Sequence, residues 1–107
     1  MTLELPGPVG AAIAAANAGD VDAFLDLFAP RGFVDDWGRV FTGRDEIRSW
    51  SDAEFVGVDV TLEIVSATTE GTRTAVSANV GGNGFNGPST FTFEVTGDSL
   101  QSMTITG

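Results

Sequence analysis

Val58-Asp59-Val60-Thr61-Leu62-Glu63-Ile64 is the stretch that decides the fold. Val58, Val60, Leu62 and Ile64 alternate with Asp59, Thr61 and Glu63. This period of two puts one side of a strand in a core and the other in solvent. The spacing predicts a strand running on to Thr69, with Glu70-Gly71 as its turn. Thr72 to Val80 then returns, with Thr74, Val76, Ala78 and Val80 on one face. A glycine-rich hairpin from Gly81 to Pro88 follows, and Phe91, Phe93 and Val95 mark the next strand. Gly97-Asp98 turns once more, and Leu100 to Thr106 closes the sheet. Turns this short carry no crossover, so these strands are expected to be antiparallel.

Working back from Val58, the period lengthens to that of a helix. Residues 1–7 read as an arm, and Pro8 suits the first turn of a helix, where its missing N–H costs nothing. The alanine-rich run to Ala18 continues that helix, and Asn17-Ala18-Gly19 stops it. Asp20 caps a second helix from Val21 to Phe28, with Val21, Phe24, Leu25 and Phe28 at helical spacing and Ala29-Pro30 as its end. Phe33 to Trp37 reads as a short strand with a brief return piece. A third helix starts after Gly43 and runs through Ile47 to about Ser51. Asp52 to Gly57 connects it to the sheet, with Phe55 and Val56 turned inward. The order predicts one α+β domain over residues 1–107, three N-terminal helices packed on one face of a curved antiparallel sheet.

Composition narrows the chemistry. The chain has 107 residues, 42% of them hydrophobic, enough for one core and too few for two domains. No apolar run approaches the roughly 20 residues of a membrane span. The first residues carry an acid and no basic start, so no secretory leader is read and a cytoplasmic protein is expected. Cysteine, histidine and tyrosine are all absent, which removes disulfides, thiolate or imidazole metal sites, a cysteine nucleophile and a Ser-His-Asp triad. Proton chemistry must use carboxylates. The net charge is -10, with five arginines and no lysine, so nucleic acid and anionic membranes are expected to be repelled.

The segment Phe33 to Trp50 concentrates the chemistry-bearing residues. A strand ends on Asp35-Asp36-Trp37, and a second indole, Trp50, closes the following helix. A carboxylate among large apolar side chains loses hydration, which disfavours its charged form and suits it to proton transfer. Asp35 and Asp36 therefore read either as a site or as two solvated acids at a strand end. Trp37 and Trp50 read as pocket walls or as plain core. Arg39 is a candidate partner of Asp36 or an anion anchor, whereas Arg44 and Arg48, one helical turn apart, are expected to pair with surface acids. The Gly81–Gly87 loop lacks the Lys-Ser/Thr of a phosphate cradle and fits a flexible flap carrying Phe85. Asp35, Asp36 and Glu46 match no metal-binding spacing, so neither metal nor cofactor is expected.

Three motifs carry a family resemblance: Ala15-Ala16-Asn17-Ala18-Gly19-Asp20-Val21-Asp22-Ala23-Phe24-Leu25-Asp26-Leu27-Phe28-Ala29-Pro30, Phe33-Val34-Asp35-Asp36-Trp37 and Phe41-Thr42-Gly43-Arg44-Asp45-Glu46-Ile47. In this order they resemble the nuclear-transport-factor-2-like superfamily, in its SnoaL-like and ketosteroid-isomerase-like branch. The resemblance spans nearly the whole chain. It implies a cone-shaped half-barrel with a pocket at one end, and a general-base aspartate at the end of the early strand, here Asp36. Asp35 would face the other side of a regular strand. That branch also supplies an oxyanion hole from a helix-one tyrosine and a late-strand aspartic acid. These positions fall on Ala12 and near Ser89, which cannot act that way. A limonene-epoxide-hydrolase-like branch places an arginine between two acids, a part open to Arg39 or Arg73.

The combined reading is a pocket for a neutral hydrophobic carbonyl, hydroxyl or epoxide compound. Asp36 and Asp35 are the catalytic candidates; Trp37, Arg39, Trp50, Phe24, Asn79 and Phe91 are the substrate-binding ones. Asn79, Ser77 and Thr92 are the nearby candidates for stabilising negative charge. Isomerase, cyclase or hydratase chemistry is one outcome; a non-catalytic binding or dimerisation module is the other. A homodimer through an outer sheet face carrying Thr74, Thr92, Glu94 and Thr96 is expected.

Overall fold

Alanine, with no side-chain entropy to lose, makes the first element, α1 (Gly7–Ala18), in a computed structural model that describes residues 5–107. Residues 1–4 of the expected arm lie outside the described residues. Gly19 ends α1 in the left-handed region, with its N–H on the Ala16 carbonyl and that of Asp20 on Ala15. The Asp20 carboxylate then accepts the Ala23 N–H at 3.1 Å and starts α2 (Val21–Asp26). The strands β1 (Phe28–Asp36) and β2 (Arg39–Thr42) form a hairpin, and α3 (Arg44–Glu54) leads through a single 3-10 turn (Val56–Val58) to a four-strand meander. Its strands are β3 (Thr61–Glu70), β4 (Arg73–Gly81), β5 (Gly87–Thr96) and β6 (Ser99–Thr106). The helices pack on one face of a curved, unclosed six-stranded sheet of order β2-β1-β6-β5-β4-β3.

The meander is antiparallel throughout, as its short turns require. The sheet as a whole is mixed, which corrects the expectation of an antiparallel one: β1 runs parallel to β6, with Asp36 opposite Ile105. The reason is the α3 connection. It carries the chain to the far edge of the sheet, so the meander returns beside β1 with its fourth strand in the same direction, and no short turn constrains that pair.

The second helix also stops earlier than its apolar spacing suggests. Phe28 leaves α2 to open β1, opposite Leu100 and completely buried. Burial against the late sheet outweighs one more helical residue there. Between Phe28 and Phe33 the register shifts, and Pro30, which cannot donate to a ladder, falls in that irregular stretch. A Cβ at Gly32 would lie only 3.0 Å from the carbonyl oxygens of Ala29 and Leu100, so the bulge needs glycine. Arg44 donates from Nε and Nη2 to the Phe28 carbonyl at 3.3 and 2.8 Å, so it pairs with backbone and not with a surface acid. Arg48 does pair with an acid, Asp22, at 2.6 Å.

Phe24, Phe28, Phe93, Leu100, Met103 and Val9 form the fully buried centre. Thr74 belongs inside with them and not on the outer face: its hydroxyl is 2.9 Å from that of Thr69, which satisfies it. Asn17, read as part of a helix stop, clamps α1 to the edge of β3 by accepting the Leu62 N–H at 2.7 Å and donating to the Leu62 carbonyl at 3.1 Å. No helix among the described residues is long and apolar enough to cross a membrane.

Candidate active-site cavity

The alternation of β1 brings Val34 and Asp36 to the helix-covered face and leaves Asp35 on the other. Val34 is fully buried; Asp36, one step nearer the sheet end, opens into a cavity of about 310 Å³. The floor comes from Ile105 and Phe91, which share the sheet row of Asp36. The side walls come from Trp50 and Phe55 on the helical side and from Val58, Val60 and Val80 at the far edge. Phe55 stacks on Trp50 at 5.0 Å between ring centroids and 21° between planes, so one aromatic face runs down that wall.

Asp36 is held by two donors. The Trp50 indole N–H donates to Oδ2 at 3.0 Å, and Arg39 Nη2 donates to the same oxygen at 2.6 Å. Both of these bonds fall on Oδ2, so Oδ1 has no hydrogen-bond partner among the described residues. The side chain is 15% exposed, which limits its hydration without removing it. The carboxylate is therefore paired with a cation, and not isolated among apolar groups as its sequence neighbours suggest.

Arg39 stands between two acids. Its Nη1 and Nη2 bind Glu54 Oε2 and Oε1 at 2.9 and 2.7 Å, a two-pronged pairing, while Nη2 also reaches Asp36. Hydrogen bonding to Glu54, then the charges of Glu54 and Asp36, hold the guanidinium above its ordinary range. The same Arg39 hydrogen bond holds the Glu54 carboxyl below the usual range for glutamate. These three bonds use three of the five guanidinium N–H donors, and the other two have no partner among the described residues. Glu54 ends α3, so this cluster also ties the β1–β2 hairpin to that helix.

Asp36, Trp37, Arg39, Trp50 and Phe91 of the sequence candidates all line the cavity. Asp35 does not: its Oδ1 accepts the Gly38 N–H at 2.8 Å and braces the hairpin turn. Phe24 stands behind the wall, 1% exposed, with its ring 5.5 Å from that of Phe55. Its helical spacing fits core and wall equally, and packing put it in the core. Asn79 has the opposite parity to Ala78 and Val80 and lies exposed on the outer face, 3.5 Å from Glu63 Oε1. Parity places Ser77 and Thr92 on the same outer face. Arg73 is there too, paired with Glu94 at 2.6 Å, which leaves Arg39 as the arginine of the cavity.

Sequence reading missed Glu54, Phe55 and Ile105 as cavity residues. Glu54 and Phe55 stand at the end of a helix next to an indole, a weak local signal; Ile105 is signalled only by strand pairing. Ser89, where the resemblance puts the late-strand acid, is 4% exposed and lines the cavity. It is a second polar point in the cavity lining.

The profile of the SnoaL-like domain matches residues 9–103. Among solved structures, a candidate polyketide cyclase from Sinorhizobium meliloti is 28% identical, with 95% of each chain covered and a TM-score of 0.84. A protein of ketosteroid-isomerase-like fold from Catenulispora acidiphila, solved with trimethylamine, is 26% identical over 97% of this chain and 87% of its own, with a TM-score of 0.81. The epoxide hydrolase/cyclase-like enzyme SalBIII of salinomycin pyran ring formation shares the fold at 22% identity and a TM-score of 0.81, covering 92% of this chain and 85% of its own. No match is found among curated proteins.

Proposed function

The chain belongs to the SnoaL-like domain family, and on that footing we propose that it is a cyclase or isomerase of a neutral hydrophobic hydroxyl, carbonyl or epoxide compound. The observation that carries this reading is Asp36, a paired carboxylate with one free oxygen in an apolar cavity, beside a guanidinium with N–H groups to spare. The resemblance to a candidate polyketide cyclase supports it.

In the proposed ring closure, Asp36 Oδ1 takes the proton of a substrate hydroxyl as that oxygen attacks an epoxide carbon. A C–O bond forms, the epoxide C–O bond breaks, and its electron pair becomes an alkoxide. The free N–H groups of Arg39 meet that charge as it develops, the largest kind of term in such catalysis. The proton then passes from Asp36 to the alkoxide, so the product is an isomer of the substrate. Removal of a proton next to a carbonyl uses the same two groups, with the enolate oxygen on Arg39. Arg39 works here as a fixed positive charge. Its raised pKa makes it no proton donor, and Glu54, held ionised near neutrality, is none either.

The test is a panel of neutral epoxy-alcohols and hydroxy-ketones, followed by chromatography for isomers. Asp36→Asn should lower turnover at least about 100-fold, the usual weight of a general base, with the fold kept. Asp35→Asn, which touches only the turn, should stay within about 3-fold of wild type. Equal loss from both variants, or no loss from Asp36→Asn, would sink the assignment.

The alternative is a non-catalytic module that holds the same class of ligand. The ion pair already closed between Asp36 and Arg39 favours it. Ligand binding by Asp36→Asn without any turnover by wild type across the panel would select it. We further propose a homodimer through the outer sheet face, where Thr92 and Thr104 pair across β5 and β6. A monomer mass by light scattering at high concentration would dismiss the dimer.

A further inference from the structure

The hairpin that joins Asp36 to Arg39 turns through Trp37 and Gly38, both in the left-handed region, with φ of 54° and 91°. Two consecutive positive φ values are what a tight two-residue hairpin turn needs. Asn-Gly and Gly-Gly are its usual occupants, because their backbones reach this region at little cost. A tryptophan in the first position pays through the contact of its Cβ with the following carbonyl. Trp37 N–H still finds the Ile105 carbonyl at 3.2 Å, so the backbone is fully committed to this conformation.

The strain gains no core packing. Trp37 is 63% exposed, the largest side chain so placed. Its ring lies over Gly107, where an added Cβ would come within 2.7 Å of Cη2. From there it lines the cavity. Phe85, on the Gly-rich β4–β5 loop, is the other exposed aromatic of the lining, at 58%. Apart from the backbone of Gly107 under Trp37 and of Gly87 beside Phe85, most of both rings is open to solvent, and both border the cavity. A conformational penalty borne at the edge of a cavity by a side chain left mostly in solvent is an outlier that points to a binding role.

We propose that Trp37 and Phe85 form an aromatic clamp that takes the flat face of the ligand's outer end, and that Trp37 occupies its unfavourable turn position for that purpose. This rests on the reading of the cavity as a small-molecule site. The inner end of the ligand meets Asp36, Arg39 and Ser89; the outer end is gripped by rings and not by charge. The clamp therefore selects for a planar outer part over a globular one of equal hydrophobicity.

The test uses two neutral alcohols, planar 2-naphthol and globular 1-adamantanol, measured by calorimetry. Trp37→Asn restores the favoured Asn-Gly turn. It should raise the melting temperature by about 3–6 °C for a domain of this size. It should also weaken 2-naphthol about 5- to 10-fold, the worth of one aromatic pair, and change 1-adamantanol less than about 2-fold. Trp37→Phe, which keeps a ring and the strain, should retain 2-naphthol within about 3-fold and leave the melting temperature unchanged. Unchanged 2-naphthol affinity in Trp37→Asn, or equal loss of both alcohols, overturns the clamp while leaving the cavity reading intact. An unchanged or lower melting temperature overturns the claim of a costly turn. Failure of wild type to bind either alcohol overturns the cavity reading and the clamp with it.

Discussion

At one end of the sheet the hairpins turn through Gly71-Thr72 and Gly97-Asp98, each with glycine at φ 59° in the first turn position. At the other end β1 and β2 turn through Trp37-Gly38, with an indole at φ 54° in that position. The first pair follows the chemistry of tight hairpins; the second departs from it. The difference continues inward. Near the glycine turns, Leu100, Phe28, Phe93 and Thr74 are closely packed and fully or almost fully buried. Near Trp37 the walls stand apart around a cavity with a carboxylate, a guanidinium and the Ser89 hydroxyl. One end holds the fold together, and the other gives up packing for a cavity.

The sharpest way to break this contrast is a cavity at the packed end. Leu100→Ala removes a side chain with no exposure and should cost about 3–4 kcal/mol in urea denaturation. Affinity for 2-naphthol should be unchanged where the variant is still folded. A larger loss of affinity than of stability would erase the division between ends.

Asn17 offers a smaller test, because it sits near the open end yet has a structural part. Asn17→Ala leaves the Leu62 N–H and carbonyl without their clamp and should cost about 1–2 kcal/mol. Loss of stability there without loss of affinity would show that the open end is not uniformly given over to the site.

Glu54 gives a titration. Arg39 lowers its folded pKa, so its contribution to stability is complete above the ordinary glutamate range. That contribution fades as pH falls from the ordinary range towards the lowered value and is gone below it. Carbon-detected NMR should place the Glu54 midpoint below the ordinary range, and Arg39→Ala should return it there. A Glu54 midpoint unmoved by Arg39→Ala would separate the two residues. The smallest effect is expected on the outer face, where Arg73→Ala breaks only an exposed pair with Glu94 and should cost less than about 1 kcal/mol. Affinity for 2-naphthol should not change.

Much of this architecture was legible in the order of residues. The alternation from Val60 through Ile64 and along β4 and β5 gave the meander, because a half-buried sheet writes its faces into a period of two. Asp36 and its opposite-facing neighbour Asp35 followed from the same rule together with the family resemblance. The parallel pairing of β1 with β6 was not legible, since it is a contact between distant segments that no local pattern encodes. Glu54 escaped for a like reason: its partner Arg39 stands on a strand and Glu54 on a helix end, and only folding brings them to 2.7 Å. Phe24 shows the converse limit. A stripe of apolar residues says that a side chain is buried, not whether it meets a neighbour or an empty space.

The seam between β1 and β6 bears on how the molecule comes into being. Asp36 takes its place beside Ile105, a residue near the opposite terminus of this chain. Local elements such as α1 and the β3–β4 hairpin can form from neighbouring residues, whereas this seam needs a long loop to close first, and loop closure of that kind slows folding. The cavity beside Asp36 is thus expected among the last features to mature. A folding intermediate holding the meander alone would be compact yet lack the cavity, and 2-naphthol binding recovered during refolding would lag behind the recovery of secondary structure.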